Sequence, residues 1–180
     1  MDNRLITGGA LRYGWQLGEN LNAEIGGDLR FDDVRQADLY QTTARLRRSA
    51  VRQDQVQWLS AGAWGQMSFR ATPNLRATAG FRFEGSNFEV NARNPKNSGS
   101  GQDSIVLPKF GLAYAFNESV EIYYNYGEGF HSNDVRGVVA TINPLSGDPV
   151  DSIPLYASQR GQEVGVRIED WRNLFFTLTA

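Results

Sequence analysis

His131 is the single histidine of this 180-residue chain, and Ser132, Asn133 and Asp134 follow it directly. Imidazole, hydroxyl, amide and carboxylate in one run are the groups with which a hydrolase activates a serine nucleophile. In an extended strand, however, consecutive side chains point to opposite faces, so His131 and Ser132 could meet only through a special turn. Geometry therefore favours a structural role for this segment at the base of a loop. Gly127-Glu128-Gly129 resembles a phosphate-cradling loop in its spacing, but no Lys-Ser/Thr pair follows and no helix is signalled. Close packing and a bend at a strand end account for it better. Arg45, Arg47, Arg48 and Arg52 form a basic stretch. It could attract an anionic metal chelate or lipopolysaccharide phosphates, or simply solvate a loop. Asp148 and Asp151 offer oxygen ligands without EF-hand-like spacing. Asn117-Glu118-Ser119 fits a glycosylation acceptor and, more simply, a tight turn.

Composition removes several classes of function. There is no cysteine, so disulfides, thiolate metal sites and thiol nucleophiles are all absent. A net charge of -2 argues against a nucleic-acid partner. Ten Phe, seven Tyr and four Trp argue against disorder. No apolar run approaches the roughly 18–20 residues of a membrane-spanning helix. The mean hydropathy of -0.44 still allows a membrane β-barrel, whose strands are apolar on one face only. The first residues, Met1-Asp2-Asn3-Arg4-Leu5, lack the basic and apolar segments of a secretory signal. That fits an intracellular protein, or a mature chain or fragment of something larger.

Period-2 alternation dominates. Leu75, Ala77, Ala79, Phe81 and Phe83 fall on one side of an extended segment, with Arg76, Thr78, Gly80, Arg82 and Glu84 on the other. Val120, Ile122, Tyr124 and Tyr126 alternate in the same way with Glu121, Tyr123, Asn125 and Gly127, as do Val164, Val166 and Ile168 with Glu163, Gly165, Arg167 and Glu169. About eight strands are expected, at 5–18, 21–34, 55–70, 75–91, 105–116, 120–130, 160–169 and 174–180. Many exceed the five or six residues usual in soluble sheets and suit a tilted bilayer crossing of about 9–11. The rival is a soluble β-sandwich. Four tight turns, Gly18-Glu19-Asn20, Thr72-Pro73-Asn74, Asn117-Glu118-Ser119 and Asp170-Trp171-Arg172-Asn173, each lead into an apolar residue. Long connections near 35–54, 92–104 and 131–159 alternate with them, the rhythm of an outer-membrane barrel with short periplasmic turns and long outer loops. An Arg facing lipid near the midplane costs roughly 2–4 kcal/mol. The charged face must then look into a wet lumen, leaving Trp15, Phe81, Tyr114, Phe116, Tyr124, Tyr126 and Phe176 on the lipid side or at its interfaces. The fold class is all-β: antiparallel up-and-down strands forming part of a transmembrane β-barrel.

Three stretches carry a family resemblance: Leu107-Pro108-Lys109-Phe110-Gly111-Leu112-Ala113-Tyr114, then Tyr123-Tyr124-Asn125-Tyr126-Gly127-Glu128-Gly129-Phe130-His131-Ser132-Asn133-Asp134, and Arg160-Gly161-Gln162-Glu163-Val164-Gly165-Val166-Arg167. Their order and spacing resemble the C-terminal half of the barrel in TonB-dependent outer-membrane receptors. Ala79-Gly80-Phe81-Arg82-Phe83-Glu84 is similar to an earlier strand of that family, and Thr72-Pro73-Asn74-Leu75 to the turn before it. The resemblance implies one partial barrel domain over residues 1–180, in the bacterial outer membrane. It implies active uptake of a scarce ligand such as a ferric siderophore, not catalysis, and it brings no cofactor and no resident metal. Partners would be outer-membrane lipid, a small-molecule or metal-chelate ligand, and the TonB complex. The last would act through an N-terminal plug and TonB box that this chain does not show. Fewer strands than the roughly 22 of such transporters and an end at Leu178-Thr179-Ala180, without a terminal aromatic, read as a piece of a receptor cut inside a strand. The alternative is a self-contained small barrel in adhesion or membrane integrity. Arg45, Arg47, Arg48 and Arg52, with His131 and Asp134, make the candidate ligand-binding set in loops and lumen.

Overall fold

Eight strands follow one another in space as they do in sequence. In a computed structural model that describes residues 2–171 and 174–180, β1 (Asp2–Gln16), β2 (Leu21–Thr43), β3 (Leu46–Thr72), β4 (Leu75–Ala92), β5 (Gly99–Ala115), β6 (Val120–Ser132), β7 (Tyr156–Trp171) and β8 (Leu174–Thr179) form one antiparallel sheet. Its order is β1 to β8 without a crossover, so β1 and β8 are its two edges. The only helix among the described residues, α1 (Val135–Val138), and a 3₁₀ turn at Pro95–Asn97 lie in connections. The expected turns at 17–20, 73–74 and 116–119 are present. Residues Arg172 and Asn173 of the fourth lie outside the described residues. Gly18 takes a φ of +81°, the left-handed conformation for which a turn recruits glycine.

The register carries the alternation across the sheet. Leu21 stands opposite Phe69, Phe69 opposite Ala77, Ala77 opposite Leu112, Leu112 opposite Tyr124, and Tyr124 opposite Val164. Alternate positions of 21–31, 59–69, 75–85 and 106–114 therefore share one face, and none of them is charged. Large side chains on this face lie open: Leu11 is 79% exposed, Phe81 57% and Met67 50%. Eleven residues at about 3.3 Å each, tilted by about 45°, span roughly 25 Å, the height of a barrel's apolar band. Of the aromatics expected here, Phe81, Tyr114, Phe116, Tyr124 and Phe176 are exposed, and Trp15 lies 5.4 Å from Tyr13.

The opposite face is polar and internally paired. Arg82 donates to Asp28 at 2.9 Å and to Glu84 at 3.0 Å. Glu121 accepts from Arg76 at 3.3 Å and from Arg167 at 3.1 Å, and Arg167 lies over the Tyr123 ring at 5.4 Å. This is the division of faces that the alternation implies.

All three long connections are shorter than the sequence suggests, two of them markedly. No loop spans 35–54: β2 and β3 run on to a hairpin whose tip is Ala44 and Arg45 alone, at φ 49° and 66°. Two successive left-handed residues are what a tight type I′ hairpin turn requires. Neither is Gly or Asn, so composition did not announce it. Likewise β5 begins at Gly99, leaving only 93–98 as connection where 92–104 was expected. The third, 133–155, is a true loop.

That loop supplies the core. Val135, Leu155 and Tyr156 pack against Val56, Phe88 and Val90 from the polar side of the sheet, with Val34, Trp58, Ile105, Phe130, Val138 and Val139 around them. The pairing of β5 with β6 stops at Lys109 and Gly127, which frees the top of the β6–β7 hairpin to lean inward. Tyr156 Oη and Ser86 Oγ share a buried hydrogen bond of 2.6 Å, and Trp58 Nε1 donates to Ser86 Oγ at 3.0 Å. Asn97, 3% exposed, fastens the other side. Its carbonyl oxygen accepts from the backbone of Thr141 and Ile142, and its amide donates to Ile142 O, each at 3.1 Å.

Two outcomes follow. Leu11→Arg should destabilise the protein in phospholipid bilayers by about 2–4 kcal/mol, whereas Ala10→Arg, one residue away beside Asp28, should be close to neutral; equal losses in denaturant titrations would refute the assignment of faces. Tyr156→Phe removes a buried hydroxyl partner and should cost about 1–3 kcal/mol. Protease should then cut faster within 139–153, and an unchanged cleavage rate would show that the Ser86 bond does not hold the loop.

Candidate functional site

The candidate residues come from two hairpin tops, β2–β3 and β6–β7, and the strands decide where each side chain goes. Arg45 sits at the tip of the β2–β3 hairpin and is exposed, as are Arg47 and Arg48 just beyond it on β3. The Arg47 guanidinium lies over the Tyr40 ring at 4.7 Å, a cation–π contact across the hairpin. Arg52 is different in kind. Its Nε donates to Asp54 at 2.9 Å, with the Asp54 side chain only 2% exposed, and its Nη2 reaches Arg136 O at 3.4 Å. From Arg45 to Arg52 a strand climbs roughly 23 Å. The basic stretch is therefore two sites: an exposed cationic tip, and one arginine committed to holding β3 against α1.

His131 and Asp134 also separate. His131 is exposed on β6, opposite Ala157, and Ser132 stands opposite Tyr156. Extended backbone at both sends their side chains to opposite faces. Asn133 donates to Pro154 O at 2.8 Å. Asp134 caps α1, accepting from the Arg136 backbone at 2.9 Å and pairing with its guanidinium. Burial pushes the Asp134 carboxyl up, but the side-chain and backbone hydrogen bonds from Arg136 prevail and hold it below the usual carboxylate range. Asn133 and Asp134 are engaged elsewhere and His131 and Ser132 point apart, so no nucleophile–base pair forms among the four groups of the hydrolase reading. Gly127 and Gly129 lie within β6, paired with Gly161 and Gln159, which is the strand-packing role. Asn117 accepts from the backbone of Ser119 and Val120 at 2.9 and 3.0 Å, the turn role. Asp148 and Asp151 are both exposed in the β6–β7 loop.

What the sequence did not disclose is the clamp of Asn97 on the β6–β7 loop and the hydroxyl chain of Trp58, Ser86 and Tyr156. Each joins segments at least 28 residues apart, so no local pattern could have carried them. Only the shared face of Arg82 and Glu84 hints at the third such feature, the ion pairs of Arg82 with Glu84 and with Asp28. The floor of the polar face is thus a set of satisfied ion pairs, and its top is covered by a loop with its own apolar core. This arrangement can wall a water-filled passage and narrow its mouth.

Comparison with known proteins gives this wall a family. The chain is similar in fold to the ferric citrate transporter FecA in its unliganded form, with a TM-score of 0.69, 19% identity, and coverage of 94% of this chain and 26% of that one. The copper transporter OprC gives 0.67, 16%, 92% and 28%. The ferric yersiniabactin uptake receptor FyuA from Yersinia pestis gives 0.64, 12%, 93% and 27%. The chain thus spans little more than a quarter of the length of the structures it matches. No curated protein sequence matches it. The model of the TonB-dependent receptor-like β-barrel matches residues 1–180, and the chain belongs to that family.

Proposed function

We propose that these 180 residues are an arc of the barrel wall in an outer-membrane receptor that actively takes up a scarce ligand, a metal chelate such as a ferric siderophore. The observation that carries this reading is the family match over the whole chain, together with a sheet whose uncharged face is open and whose charged face is paired. The open edges at β1 and β8 support a partial barrel, because unpaired backbone groups in hydrocarbon cost several kcal/mol each. The protein is a receptor and not an enzyme on this reading. Its tight turns face the periplasm and its long hairpin tops face outward, so that the apolar band sits in the outer membrane. A plug and a TonB-contacting segment outside these residues would couple transport to the inner membrane.

Arg45, Arg47 and Arg48 are the part of the candidate set placed to meet an anionic ligand, since long-range attraction is strongest from exposed charges of one sign. His131 and Asp134 belong to the rim beneath it, and Arg52 acts there by fixing β3 to α1.

In the complete protein, Arg45→Glu combined with Arg47→Glu and Arg48→Glu should lower uptake of radiolabelled ferric citrate or another anionic ferric chelate without lowering the amount of protein in the membrane. The loss should shrink as salt rises toward 0.15 M and the Debye length falls to about 8 Å. Uptake that survives both the triple variant and collapse of the proton gradient would overturn the transport reading.

A further inference from the structure

Immediately above the apolar band, the outward face changes chemistry in one step. Phe31 and Leu59 are opposite each other at the top of the band, and Leu59 is opposite Asn87, which is opposite Gln102. One step higher the row reads Asp33, Gln57, Glu89 and Ser100. Phe31, Leu59, Gln57, Asn87, Glu89 and Gln102 line a single groove on this face. Gln57, Asn87 and Gln102 are exposed, and no hydrogen bond from any described residue reaches their side-chain amides. Each carboxamide offers two donors and an acceptor. The groove therefore combines an apolar floor, three unengaged amides and one carboxylate, the mixture of apolar lining and few orienting polar groups found in small-molecule sites.

We propose that this groove seats the sugar portion of an outer-leaflet glycolipid. The inference rests on the outward orientation given under the proposed function. Continuity with the apolar band selects a lipid: the acyl chains of a molecule lying against Leu29 and Phe83 would bring its headgroup to this height. Charge selects the sugar over the phosphate. The carboxylates nearby are Glu89, which accepts only from Asn91 at 3.2 Å, and Asp33, which already holds Arg35 at 3.0 Å. No lysine or arginine lines the groove, so an anionic phosphate meets repulsion here. Vicinal hydroxyls, which donate and accept, match the carboxamides and Glu89, while the ring's C–H face matches Phe31 and Leu59.

The test uses the complete protein in native outer membranes. A photoreactive p-benzoylphenylalanine replaces Ser100 at the groove rim, Val106 in the band or Glu118 at a turn, one at a time. The Ser100 probe should yield a glycolipid adduct. The adduct should fall to background when Gln57→Ala and Asn87→Ala are combined, with heat-modifiability unchanged, and in cells whose glycolipid is stripped of its sugars. An adduct that persists in either case, or that contains phospholipid, overturns the groove while the Val106 adduct still reports the band in lipid. A glycolipid adduct at Glu118 in place of Ser100 overturns the orientation, and this proposal with it.

Discussion

Every backbone amide that crosses hydrocarbon must find its partner in the protein, and this requirement organises the chain more than any side chain does. Antiparallel pairing satisfies it strand by strand, and the pleat then leaves only two faces to distribute. The apolar face is uncharged over the band because a cation placed there would cost more than most single interactions return. The polar face can carry Arg82, Glu84 and Asp28 because each charge meets another. A carboxylate as sheltered as Glu84, whose side chain is 7% exposed, would be costly without the guanidinium beside it.

The same requirement explains how much of the fold was legible. Within the band one face is apolar and the other polar, so the period of two shows in the sequence, and the strand starts at Leu21, Leu75 and Val120 could be read directly. Above the band both faces meet polar surroundings. There β2 and β3 continue through residues such as Asp38 and Gln53, paired across three register shifts but with little hydrophobic contrast. The sequence therefore reads as a loop where a hairpin stands. The tip itself, Ala44 and Arg45, carries neither of the residues that usually mark left-handed backbone.

Legibility of the candidate site fails for a different reason. Residue type told which side chains could attract or ligate, but not which were already engaged. Arg52 is spoken for by Asp54, two positions along the same strand, and Asp134 by Arg136. The first is an i, i+2 pair on one side of a strand and the second a helix cap, and both are visible in retrospect. The cover formed by Val135, Leu155 and Tyr156 over Phe88 and Val90 is not, because it joins the far end of one hairpin to the middle of another.

Beyond Ala37 and Asp54, where pairing with β1 and β4 ends, β2 climbs roughly 20 Å to Thr43 at about 3.3 Å per residue, and β3 returns beside it. A two-stranded ribbon of that reach ends in two residues and no slack chain. Proteases cleave segments they can pull into an extended, unpaired form, and a tip with neither loose loop nor frayed strand gives them little to hold. The exposed tip is in this way also poorly digestible, and its arginines can stand in the open without a loose loop to carry them.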